Sequence, residues 1–112
     1  MAVQLSTAVR NAMLDAIEAT VGTAAVLKIK TGTQPANCAA ADTGTVLASM
    51  TLDSDWMAAA ASGAKAKLGT WEDASANASG TAEHFRLYAS DGTTCHMQGT
   101  ITETGMGGNM TL

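Results

Sequence analysis

The stretch that most constrains this chain runs from Ala82 to Thr102, where two alternating runs meet at Asp91-Gly92. An Asp-Gly step between alternating runs is a strong hairpin signal, because glycine accepts the positive φ that a tight reversal needs. Phe85, Leu87 and Ala89 lie on one face of the first run, and His84, Arg86, Tyr88 and Ser90 on the other. On the second run Cys95, Met97, Gly99 and Ile101 alternate with His96, Gln98, Thr100 and Thr102. Directly opposed residues share a face, so polarity selects the register. A two-residue loop opposes Leu87 to His96 and mixes the faces. An odd loop of about three or five residues opposes Ala89 to Cys95, Leu87 to Met97 and Phe85 to Gly99. The odd loop separates apolar from polar and is the predicted register. Its polar face, His84, Arg86, Tyr88, His96 and Gln98, is expected to meet solvent or a partner.

Upstream, Leu5, Val9, Met13 and Ile17 recur every four residues beside Ala12 and Ala16, opposite Asn11, Asp15 and Glu18. That period predicts a helix over about 5–20, with Ser6 as N-cap and Gly22 as its left-handed stop. Its apolar stripe is expected to cover the sheet. Ala24 to Lys30 reads as a strand, with Ala25, Leu27 and Ile29 inward and Lys28 and Lys30 on the wet face. A long connection, 31–44, carries Gly32, Pro35 and Asn37, with a helical turn available at Ala39-Ala40-Ala41. Thr45 to Leu52 is the next strand, and Leu47 on its second face suggests a central position. Asp53 to Ala58 suits a short helix ended by Gly63, and Lys65 to Trp71 suits a further strand. Glu72 to Gly80 is a polar loop. Gly105, Gly107 and Gly108 mark a turn before Asn109-Met-Thr-Leu, a half-strand with no visible partner.

At 112 residues, the chain is expected to form a single domain over 1–112. The helix occupies about 5–20 and a β-sandwich about 24–112, with a final strand absent. The fold class read from this pattern is mainly β, a jelly-roll-like sandwich with one N-terminal α-helix packed on the sheet. Six scattered Lys and Arg and a formal charge of −4 argue against nucleic acid, which needs clustered cations. No apolar run approaches the roughly eighteen residues of a membrane span, and Met1 to Leu5 lacks the basic start of a signal peptide. A soluble protein made in a cytosol is expected. Two cysteines, Cys38 and Cys95, are too few for a disulfide scaffold, and a reducing compartment would keep them as thiols.

The chemistry-bearing residues do not assemble into a catalytic set. Cys95 and His96 are adjacent but point to opposite faces of a strand. His84 and His96 lack further ligands, so neither metal nor cofactor is expected. Asp53-Ser54-Asp55 lacks the glycine and glutamate of a calcium loop and suits a helix cap, and Gly105-Met-Gly-Gly lacks the lysine of a phosphate loop. Trp71 reads as a core plug. Trp56, beside Met57, is either core or interface anchor. Candidate interface residues are Leu5, Trp56, Met57, Tyr88, His96, Met106 and Met110. No enzyme is expected.

One series of motifs resembles a known group. The N-terminal helix, then Val26-Leu-Lys-Ile-Lys-Thr-Gly, Gln34-Pro-Ala and Gly44-Thr-Val-Leu-Ala-Ser-Met-Thr-Leu, is similar to small proteins encoded by tailed bacteriophages and prophages. Ala78-Ser-Gly-Thr-Ala, Phe85-Arg-Leu-Tyr and Ser90-Asp-Gly-Thr-Thr resemble their second half. The resemblance implies a virion structural protein made in the bacterial host cytoplasm. Its partners would be the major capsid protein or other virion proteins, with a homo-oligomer expected. A capsid decoration or cement protein leads. A neck, collar or tail component is the alternative, and a receptor- or glycan-binding module using Trp56, Tyr88 and His96 is a third. The resemblance implies a further Thr/Val-rich strand after Asn109-Met-Thr-Leu; without it, either a truncated chain or an edge completed by a neighbouring subunit is expected.

Overall fold

The computed structural model describes residues 3–73, 75–102 and 110–111. The glycine turn around Gly105 and the candidate Met106 lie outside the described residues. Helix α1 spans Thr7–Val21, close to the expected range. Ser6 caps it, its Oγ accepting from Val9 N at 3.2 Å. Gly22, at φ 91°, ends it and donates its N–H to the Glu18 carbonyl.

Four antiparallel strands follow: β1 (Val26–Lys30), β2 (Val46–Thr51), β3 (His84–Tyr88) and β4 (Cys95–Thr102). The order across the sheet is β2-β1-β3-β4, and a two-residue β5 (Met110–Thr111) adds to β4 in parallel. The half-strand expected without a partner therefore pairs with β4. The chain is mainly β with one small helix. The described residues form one sheet rather than the two of a sandwich. In place of a second sheet, α1 and the 53–71 segment lie over the apolar face, and residues 31–45 lie over the other.

The hairpin keeps the predicted register at Phe85↔Gly99 and Leu87↔Met97, but reaches it by another route. Ala89 N–H donates to the Thr94 carbonyl, closing a four-residue loop rather than an odd one. Asp91 holds that loop by accepting from Thr93 N at 2.8 Å and Thr94 N at 2.9 Å. An even loop alone would oppose Leu87 to His96. A bulge between Tyr88↔Cys95 and Leu87↔Met97 absorbs His96 and restores the pairing that burial demands. Cys95 thus faces the same side as Tyr88, not that of Met97 as expected. His96 lies exposed beside the helix, with Met13, Ile17 and Thr20 around it.

Two further expectations are corrected. Strand β2 lies at the end of the sheet, not in its centre. Its Leu47 is nevertheless buried, because the loop before β3 returns over it: Asn77 N–H donates to the Leu47 carbonyl, and Asp73 accepts from Ser49 N at 3.0 Å. That loop blunts an edge otherwise open to pairing. The expected helix after Asp53 is instead an irregular ribbon. Met57 pairs with Lys67 and Ala61 with Ala64, around Ser62-Gly63 at φ 52° and 76°. Two consecutive positive φ values make a reversal that a helix cannot contain, and alanine propensity yields to it.

The core forms between the sheet and this ribbon. Leu27, Ile29, Met50, Phe85, Leu87 and Ile101 supply the sheet side. Trp56 seals the other, 1 % exposed, with its indole N–H donating to the Gly22 carbonyl at 2.8 Å. Trp71 stands against it, ring centroids 5.9 Å apart at 51°.

Candidate functional site

Two arrangements separate this molecule from a plain helix-on-sheet domain. The first is an inverted helix. Strand geometry leaves the amides of the 57–63 arm unpaired on one side, and α1 supplies acceptors at helical spacing. Glu18 Oε2 accepts from Met57 N at 3.2 Å, Asp15 Oδ1 from Ala60 N at 2.8 Å and Asn11 Oδ1 from Gly63 N at 2.9 Å. Lys65 completes the joint, its ammonium spending three donors on Asp15 Oδ1 (2.7 Å), Glu18 Oε1 (3.0 Å) and the Ala58 carbonyl (2.8 Å). Hydrogen bonding to Lys65 lowers the Asp15 pKa. At Glu18 burial acts upward, but the bonds from Lys65 and Met57 outweigh it and the pKa falls. The polar side of the helix, opposite the stripe expected to cover the sheet, is therefore the docked one.

The apolar stripe faces outward as a consequence. Val9 is 45 % exposed and Met13 57 %, with Leu5 continuing the line. Only the C-terminal half of the stripe reaches the core, through Ile17 and Val21. Between helix and sheet lies an apolar cavity of about 200 Å³, walled by Leu14, Ile17, Trp56, Trp71 and Met97. A wider cleft of about 570 Å³ opens beside Asp15, Glu18, Ser54 and Asp55. Asp15 and Glu18 are already committed to Lys65 and to backbone amides.

The second arrangement is a lid over the polar side of the sheet. Residues 31–45 leave β1 and return to β2 with their ends pinned together. Thr31 N–H donates to the Thr45 carbonyl at 3.0 Å, and Thr45 N–H to Thr31 Oγ1 at 2.9 Å. Gly44 makes this closure possible, since a Cβ there would lie 1.8 Å from the Thr31 carbonyl oxygen. Beneath the lid, His84, Arg86 and Tyr88 are buried, not solvent-facing as expected. Lys30 is buried as well, against its assignment to a wet face.

Arg86 organises the layer. Its guanidinium pairs with Asp42, and Nη2 donates to the carbonyls of Cys38 at 2.8 Å and Ala40 at 3.2 Å. Asn37 shapes that turn by accepting from Ala39 N and Ala40 N, each at 2.9 Å. Tyr88 donates its hydroxyl to Asp42 Oδ1 at 2.7 Å, and Lys30 stands 3.6 Å from Asp42 Oδ2. Gln98 donates to the Pro35 carbonyl at 2.8 Å, and His84 Nδ1 to the Gly32 carbonyl at 2.8 Å. Burial acts to raise the Asp42 pKa, but Tyr88, Lys30 and Arg86 together hold it below the usual carboxylate range. Burial, then the bond to Asp42, pushes the Tyr88 phenol up.

The predicted interface residues do not converge. Trp56 and Tyr88 are fully buried, on opposite sides of the sheet, so neither is available to a partner. Met57 and Met110 are half-buried against the core, and Leu5 and His96 are exposed. Val9 and Met13, which sequence reasoning assigned to the interior, are exposed, as are Val3, Leu5 and Leu68. The signal that could have found them is the Asn11, Asp15, Glu18 ladder, whose spacing suits amide capture as well as it suits water. No family model, curated protein or solved structure matches the chain.

Proposed function

We propose that this protein is a non-enzymatic structural component of a tailed-bacteriophage particle, most simply a decoration or cement protein of the head shell. The observation that carries the reading is the outward apolar stripe of α1, fixed in that orientation by the Lys65 joint. A helix that docks its polar face on the ribbon and presents Val9 and Met13, with Leu5 just before its cap, has its hydrophobic contact still to make. The ordered resemblance of the motifs to phage structural proteins supplies the context. The partner is the major capsid protein or another virion protein, with copies of this chain working together. Binding the assembled shell in preference to free subunits would stabilise the shell by mass action. Weak single contacts suffice where an oligomer attaches at several points.

The test is a sedimentation assay of the purified protein with stripped heads. Val9→Asp with Met13→Asp places two charges on the stripe and weakens binding by about 100-fold. The far-UV spectrum and melting temperature should hold, because both side chains are already exposed. Unchanged binding removes the stripe as the contact. Many copies per particle support decoration, whereas about a dozen would assign the protein to the portal vertex, where rings form. The glycan-binding alternative loses its two largest aromatics to burial.

A further inference from the structure

The chain has two cysteines, 57 positions apart, and the fold brings them together. Cys38 sits in the lid turn, where its carbonyl accepts from Arg86 Nη2 at 2.8 Å. The β4 bulge turns Cys95 toward the same side, opposite Tyr88 and next to Arg86. Both cysteines therefore lie in the layer around Arg86 beneath the lid, each residue is part-exposed, and the Cys95 thiol donates to the Met97 carbonyl at 3.3 Å. Without the bulge, Cys95 would face the helix. A soft-metal site would need further ligands, and no group of three His, Cys, Asp or Glu occurs among the described residues.

We propose that Cys38 and Cys95 are a modification site, a reversible intramolecular disulfide that locks the 31–45 lid onto β4. The co-reactant is a low-molecular-weight disulfide such as glutathione disulfide. One thiol of the pair loses its proton and attacks a glutathione sulfur, breaking that S–S bond and releasing one glutathione thiolate. The other thiol, deprotonated in turn, attacks the mixed disulfide and expels the second glutathione thiolate. The pair loses two electrons, glutathione disulfide gains them, and the two released thiolates take up the two protons. Burial pushes the Cys95 thiol up, so the exchange accelerates as pH rises.

Treating the full chain with glutathione disulfide tests this. Expected are loss of both titratable thiols, a mass lower by two hydrogens and a peptide linking Cys38 to Cys95 in a chain of unchanged oligomeric state. Closing so long a loop should raise the melting temperature by about 10 °C, reversibly with dithiothreitol. Cys38→Ser should instead retain a glutathione adduct on Cys95 and show no rise. Stable glutathione adducts on both cysteines, a disulfide joining two chains, or a melting temperature indifferent to reductant would each overturn the proposal. The oxidised and reduced wild-type comparison needs no variant to fold.

Discussion

Burial of a charged residue costs less where its donors find acceptors, and Arg86 pairs both terminal nitrogens, Nη1 with Asp42 and Nη2 with the Cys38 and Ala40 carbonyls, while its buried Nε has no partner among the described residues. The guanidinium fork suits this use, since it spreads its donors over a rigid plane and keeps its charge. Tyr88 shares the same carboxylate, and its ring carries Lys28 Nζ 4.8 Å above the centroid. Tyr88→Phe removes one charge-assisted hydrogen bond and leaves the ring in place. It should cost about 1.5–3 kcal/mol in urea unfolding, without a change in the denaturant slope. A cost near zero would show that Asp42 relies on Arg86 and Lys30 alone.

At the scale of elements, α1 shows why an amphipathic pattern does not by itself say which face is buried. Three side-chain acceptors and a lysine hold the helix to the 57–65 ribbon, and the apolar stripe turns out as a geometric consequence. Lys65→Met tests that joint. It leaves Asp15 and Glu18 facing each other without their cation, so the helix should loosen from the ribbon while the sheet persists. Amide exchange at Met57, Ala60 and Gly63 should quicken by at least about tenfold, with exchange in β1 and β3 unchanged. Equal acceleration in the strands would mean that helix and sheet unfold as one unit.

The whole molecule is held by carboxylates whose pKa values are lowered on folding: Asp15 and Glu18 at the helix joint, Asp42 under the lid, Asp73 at the β2 edge and Asp91 in the hairpin loop. Each contributes stability in full above its unfolded value, 3.8 for Asp and 4.5 for Glu, and loses it as pH falls through the lower folded value. Lys65 is raised above 10.5, mainly by its bond to Asp15, so its contribution is complete below that pH and is lost as pH rises past the folded value. The melting temperature should therefore stay level between about pH 5 and 8 and fall steeply below about pH 4; it should also decline above about pH 9, where the unfolded chain loses the Cys95 and then the Tyr88 proton that the folded chain keeps. Asp42→Asn should lower the plateau and soften the acid limb. An unaltered acid limb would place that loss at the other four carboxylates.

The sequence alone determined what depends on neighbours along the chain. Ser6 and Gly22 bound the helix because capping is a matter of a few adjacent amides, and Phe85, Leu87, Met97 and Gly99 fixed their own pairing because a slip would have mixed the faces. Only the tertiary structure decided which surfaces those elements hide. Nothing local distinguishes the polar side of β3 as lidded rather than wet; that depended on a 15-residue segment folding back to satisfy Arg86. Nothing local distinguishes Asn11, Asp15 and Glu18 as a docking ladder either, since their partners are backbone amides 39 to 52 residues away, exposed by a turn at Ser62-Gly63. The hairpin bulge is the same lesson in small. Residue alternation named the two faces, but the four-residue loop held by Asp91 forced one residue out of step, and that step turned Cys95 to the lidded side of the sheet, where Cys38 lies.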